Sequence, residues 1–183
     1  MRRKSFTELK PEEVLMLAID VEVVNGDRLR NFSLLFAESS PDAAKLFAGM
    51  AAEEDQHRNQ LDEIFKERYP NMTKTIGQDD VSEIPEDQDL GVSAGMAFDS
   101  LTLKEALETV LHAELQAQDF YDQAARHTDQ PELASIYREL GGLEQNHVQW
   151  IETRLDELAR VGVGTKDMFK DTGRSRRILD DAN

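Results

Sequence analysis

Four stretches of this chain repeat apolar side chains at helical spacing, and the connections between them run short, long, short. The first stretch extends from about Pro11 to Phe36, with Val14, Ala18, Val21, Leu29, Phe32 and Phe36 along one stripe. The second opens at Ser40-Pro41, an N-cap followed by a first-turn proline, carries Ala43, Phe47, Met50, Ala51, Leu61, Ile64 and Phe65, and stops at Tyr69-Pro70. The third opens on the capping-box pattern Thr102-Leu103-Lys104-Glu105 and carries Leu103, Leu107, Val110, Ala117, Tyr121 and Ala124. The fourth starts near Gln130-Pro131 and runs to about Arg160, where Gly162 and Gly164 are expected to end it; Leu133, Ile136, Tyr137, Leu140, Ile151, Leu155 and Leu158 point inward.

Short links make antiparallel neighbours, so the chain is expected to form two helix hairpins. The polar, acidic segment at about 70–101 is then a crossover that travels the length of the bundle, and residues 161–183 are a C-terminal extension of mixed charge. The predicted fold is therefore all-α, a four-helix bundle of the ferritin-like arrangement in residues 1–160, with a tail.

The hairpins also repeat one another. Pro41 precedes Glu54, and Pro131 precedes Glu144, by the same 13 residues; His57 and His147 each follow those glutamates by three. One helix earlier, Glu22 and Glu114 occupy matching places. All four glutamates fall inside apolar stripes, and the histidines lie one turn on along the same face. Buried unpaired carboxylates cost several kcal/mol each, so either some are protonated or cations neutralise them. Two divalent metals would balance four carboxylates, with one imidazole for each. A Glu from each of two helices plus Glu-x-x-His from each of the other two is a di-iron or di-manganese pattern. Such a donor set suits iron or manganese, with manganese or zinc as possible substitutes for iron.

On the motif Glu22, Glu54-x-x-His57, Glu114 and Glu144-x-x-His147, about residues 11–160 resemble the ferritin-like superfamily, closest in style to the erythrin domain of rubrerythrins. That resemblance implies a centre of two Fe ions bridged by Glu54 and Glu144, with Glu22 and His57 capping one iron and Glu114 and His147 the other. It implies Fe(II) oxidation, or reduction of oxygen or hydrogen peroxide. The alternative is an iron carrier or storage-associated protein without turnover. Two departures matter. The chain contains no cysteine, so it has no cysteine-ligated rubredoxin domain and would draw electrons from a separate donor protein. Asn25 and Ala117 stand near the positions one turn after Glu22 and Glu114, where the family keeps an extra carboxylate, which favours simple ferrous oxidation. A homodimer is a further family-level expectation.

Tyr121 and Tyr137, each two turns from a glutamate of the motif, are the catalytic candidates: they either bond a ligand or relay an electron, unless they are ordinary core tyrosines. Trp150 is expected in the bundle core, and His112 and His127 in solvent, the latter favoured by the helix dipole. Asn25 either bonds a ligand or sits in water at the edge of its stripe. Gly26, Gly141 and Gly142 either leave room for a small substrate or mark close helix packing.

Charge narrows the partners. With 37 acidic against 21 basic residues the net charge is −16, which repels nucleic acid and anionic membranes. No apolar run reaches the ~18–20 residues needed to cross a bilayer. Met1-Arg2-Arg3-Lys4 imitates the start of a signal peptide, but Glu8, Lys10, Glu12 and Glu13 interrupt any apolar region behind it. The expectation is a soluble, cytoplasmic protein.

Overall fold

The computed structural model describes residues 4, 6–73, 76–77 and 101–170, with residues 161–170 as backbone alone. Among the described residues a single 3-10 turn, Phe6–Glu8, precedes four helices: α1 (Pro11–Leu35), α2 (Pro41–Arg68), α3 (Leu103–His127) and α4 (Pro131–Lys170). Prolines open three of them, where a missing N–H costs nothing. Thr102 closes the expected capping box on α3: its Oγ1 accepts from the Glu105 N–H at 3.2 Å, while its own N–H donates to Glu105 Oε2 at 2.9 Å. Ser40 occupies the N-cap of α2, but its side chain makes no capping bond.

One boundary differs from the sequence expectation. The fourth helix does not stop at Arg160 but continues through Gly162 and Gly164 to Lys170. Each glycine weakens a helix by about 1 kcal/mol, yet neither removes a backbone donor, so the hydrogen-bond ladder can pass through both. The proposed extension at 161–183 thus begins inside α4; residues 171–183 and most of the 70–101 crossover lie outside the described residues, as do Met1, Arg2 and Arg3.

α1 packs on α2 and α3 packs on α4, which makes the two hairpins, and α1 touches α3 across them. Contacts at one end fix the relative directions. The Phe6 ring, just before α1, lies 5.8 Å from the Phe120 ring and 5.4 Å from the His127 ring, both late in α3. Arg68, at the end of α2, donates to Gln130 at 2.8 Å and pairs with Glu132 at the start of α4. The start of α1, the ends of α2 and α3 and the start of α4 therefore share one end of the bundle. α2 and α3 run the same way, so α3 begins at the end of the bundle opposite to the one where α2 stops.

The core is split into two apolar clusters. One, toward the Phe6 end, holds Leu17, Val21, Leu61, Phe65, Phe120, Tyr121, Tyr137 and Leu140; the other holds Leu29, Phe32, Phe47, Met50, Leu107, Val110 and Ile151. Glu22, Glu54, Glu114 and Glu144 lie in sequence between the members that each helix gives to the two clusters. The polar residues are thereby clamped at mid-bundle between two dry layers. Early α1 is buried on more than its stripe, with Leu15, Met16 and Ile19 all enclosed. Leu9, Tyr69 and Ile76 pack against this cluster and help cover it.

The interior glycines divide by environment. A Cβ on Gly26 would stand 3.3 Å from the Arg30 guanidinium and 3.4 Å from Glu54 Cβ, and one on Gly141 3.4 Å from Tyr121 Cβ, so both face a neighbouring helix at about ordinary contact distance. Gly142 is exposed, with nothing near the position a Cβ would take. Gly142→Ala is expected to raise stability by about 0.5–1 kcal/mol by restricting the unfolded chain, read as a higher urea midpoint with an unchanged slope.

Candidate metal centre

Glu22 from α1, Glu54 and His57 from α2, Glu114 from α3 and Glu144 and His147 from α4 are all buried. One oxygen or nitrogen from each of Glu22, Glu54, His57 and Glu144 falls within 4.8 Å of the others, and the same holds for Glu54, Glu114, Glu144 and His147. The two groups share Glu54 and Glu144.

The histidine contacts show how they are shared. His57 Nδ1 lies 3.3 Å from Glu54 Oε2, 3.4 Å from Glu22 Oε2 and 3.7 Å from Glu144 Oε1. His147 Nδ1 lies 3.3 Å from Glu54 Oε1, 3.3 Å from Glu144 Oε2 and 3.4 Å from Glu114 Oε2. Glu54 and Glu144 thus each turn one oxygen toward either histidine. Glu22 serves only the first half, Glu114 only the second. The two imidazoles stack at 6.2 Å, inclined by 25°.

One Nδ1–H cannot satisfy three carboxylates, and the cluster is left short of donors. Among the described residues Glu22 Oε2, Glu54 Oε1, Glu114 Oε1 and both Glu144 oxygens are buried without a hydrogen-bond partner. Orphaned buried acceptors are costly, and so many in one place call for cations. Four carboxylates and two imidazoles, with no thiolate, suit iron or manganese in an oxygen-rich site. These residues fit a pair of divalent metals.

Protons stand in for metal when the cluster is bare. Burial drives Glu22 up to about 8, against the pull of His57, and drives Glu144 well above the carboxylate range. Glu54 is the exception: burial pushes it up, but the His147, His57 and Glu22 side chains beside it hold it at about 2. Burial would lower both histidines, yet their carboxylate partners raise His57 to about 9 and His147 further. Glu54 is therefore a carboxylate between two imidazolium rings, while Glu22 and Glu144 keep protons at neutral pH.

Tyr121, fully buried, donates its hydroxyl to Glu22 Oε1. Burial and the neighbouring glutamates push its phenol well above 10, so it keeps its proton. Tyr137 stacks on Tyr121 at 6.3 Å, but its hydroxyl has no partner among the described residues, and burial pushes its phenol above the usual range. Only Tyr121 touches the carboxylates directly. Tyr121→Phe is expected to lower the stability of the metal-free chain by about 1–3 kcal/mol, since it removes the donor to a buried oxygen; urea denaturation reads it.

Trp150, expected in the core, is 42% exposed. His147 and Ile151 hold the inward positions of that turn and leave the tryptophan on its flank, its ring 5.4 Å from the His147 ring. Asn25 is buried, and its Oδ1 accepts from Arg28 at 2.9 Å on its own helix. His112 and His127 are exposed. Glu53 was not singled out by the sequence pattern; its Oε2 stands 3.3 Å from His147 Nε2. Its only sequence signal is its place beside Glu54, which in so acidic a chain carries little weight.

The family model for rubrerythrin matches residues 13–89. This part of the chain is rubrerythrin-like. The match covers Glu22, Glu54 and His57; Glu114, Glu144 and His147 belong to the second hairpin, which repeats the pattern beyond it. Among solved structures, a hypothetical protein from Pyrococcus furiosus is similar at a TM-score of 0.64 and 18% identity, over 85% of this chain and 94% of that one. An uncharacterized conserved protein from Magnetospirillum magnetotacticum is similar at a TM-score of 0.65 and 19% identity, over 81% and 95%. These likenesses support the ferritin-like bundle as a fold. Among curated proteins none matches by sequence. No helix among the described residues is long and apolar enough to cross a membrane.

Proposed function

We propose that this chain is a non-haem di-iron oxidoreductase that oxidises Fe(II) or reduces oxygen or peroxide. The observation that carries the reading is the sharing of Glu54 and Glu144, each with one oxygen toward His57 and one toward His147, in a cluster with five orphaned carboxylate oxygens. Glu22 and His57 would hold one iron, Glu114 and His147 the other, with Glu54 and Glu144 between them. When bound, the iron pair supplies two one-electron steps, which suits the two-electron reduction of peroxide.

The chain's own residues do the rest. Four carboxylates are held ready by helices whose apolar layers exclude water above and below, so little reorganisation is needed as charge changes. Tyr121 keeps a proton on its hydroxyl and directs it at Glu22, which fixes that carboxylate's orientation. Tyr137, stacked behind Tyr121, extends the aromatic layer away from the site. Because the chain lacks cysteine, repeated turnover would draw electrons from a separate donor.

Anaerobic Fe(II) titration should saturate near two metals per chain. Mixing the loaded protein with oxygen or peroxide, with a reductant present, should then give prompt oxidation and repeated turnover. Uptake of two irons without turnover would assign the chain to iron carriage or storage instead, and no uptake would refute both.

A further inference from the structure

The two halves of the cluster are alike in ligands but not in what stands behind them. His147 faces Glu54, Glu114 and Glu144 through Nδ1, and its other nitrogen, Nε2, meets Glu53 Oε2 at 3.3 Å. Among the described residues every polar contact of the His57 ring runs through Nδ1, and no carboxylate backs its Nε2. Glu53 sits on α2 beside Glu54, about 100° round the helix, and reaches across to α4. Its side chain is 40% exposed, whereas the histidine it meets is fully enclosed.

We propose that Glu53 is a positioning residue for the His147 half of the centre, accepting the Nε2–H so that the Nδ1 lone pair faces the metal. This rests on the di-metal reading above and adds an inequality to it: the half built on Glu114 and His147 binds metal more tightly than the half built on Glu22 and His57. A metal-bound imidazole needs a bare nitrogen toward the ion, and an acceptor behind the ring selects that tautomer and fixes the ring plane. Without Glu53 the ring is free to carry its proton on Nδ1, where it would face the metal position. Trp150 packs beside the same ring, its plane tilted by 42°, so in the wild-type chain His147 is restrained by packing and by Glu53 together.

Trp150 is the sole tryptophan of the chain and stands 5.4 Å from His147, which provides a local probe. The experiment is anaerobic Fe(II) titration of the full chain, of Glu53→Ala and of Glu53→Gln, reading bound iron together with Trp150 fluorescence. The wild type should bind two irons, the tighter one giving the larger quench. Glu53→Ala should weaken the quenching equivalent by about 10–100-fold and leave the other nearly unchanged, with Glu53→Gln, which keeps an acceptor oxygen, recovering much of the loss. In Co(II)-loaded protein the hyperfine-shifted His147 N–H should exchange with solvent faster in Glu53→Ala. Unchanged isotherms in Glu53→Ala would overturn the proposal, as would an equal weakening of both equivalents with a fall in metal-free stability. If the wild type takes up no iron, the di-metal reading itself fails.

Discussion

Glu54→Ala and Glu144→Ala are each expected to abolish the uptake of both metals, whereas Glu22→Ala or Glu114→Ala should chiefly weaken one. The difference follows from the sharing: Glu54 and Glu144 each present an oxygen to both histidines, and the other two glutamates serve one half apiece. The shared pair should part company in the metal-free protein. Glu54, held ionised at about 2, is the anion between two imidazolium rings. Removing it leaves buried cations short of a partner, and stability should fall by about 3–5 kcal/mol. Glu144 keeps its proton at neutral pH because burial pushes it well up, so its loss removes no balancing charge and should cost less. Iron titration and urea denaturation of both variants read the two effects, with His112→Ala, on the exposed face of α3, as an unchanged control. A loss of only one equivalent from either shared variant would contradict the bridging arrangement.

The second large effect is a fall of metal-free stability with rising pH that metal loading should offset. Burial raises Glu22 to about 8, and carboxylate partners raise His57 to about 9 despite burial. The folded, metal-free chain therefore binds more protons than the unfolded chain over this range, and its stability falls as pH rises. Glu22's contribution is fully present below its unfolded value of 4.5 and lost through about 8; that of His57 is present below 6.5 and lost through about 9. Glu54 acts oppositely, its stabilisation being present above 4.5 and lost as pH falls through about 2. Between pH 6 and 8.5 the metal-free melting temperature should drop, each extra retained proton steepening the fall by about 1.4 kcal/mol per pH unit. Metal binding expels those protons, so affinity should rise with pH. Metal at a hundred times its dissociation constant adds about 2.7 kcal/mol for each site. The gap between Mn(II)-loaded and metal-free melting temperatures should therefore widen with pH, and parallel curves would contradict a proton-filled cluster.

Much of this architecture was legible in the sequence because local and long-range signals agreed. First-turn prolines and the Thr102 box marked helix starts, and the apolar stripes marked the faces on which Glu22, Glu54, Glu114 and Glu144 are enclosed. Acidic residues inside such stripes stand out because burial makes them costly. What escaped depends on geometry that spacing does not encode. Trp150 lies one turn after His147, but side chains three apart are offset by about 60° round a helix, enough to move a large ring from core to rim. Glu53 meets His147 across two helices, a contact that no interval along one helix can reveal. Gly162 and Gly164 read as a stop, yet a helix can carry glycine where nothing else ends it. The extra burial of Leu15 and Ile19 comes from cover that a single-helix stripe does not include.

The central claim is that two metals sit at mid-bundle, and anomalous scattering at the iron edge from a crystal of anaerobically Fe(II)-loaded protein tests it most directly. The expected map has two peaks between the apolar layers, one beside Glu22 and His57 and one beside Glu114 and His147, with Glu54 and Glu144 flanking both. A map with no peak inside the bundle, or with iron only among acidic residues on the surface, would contradict it.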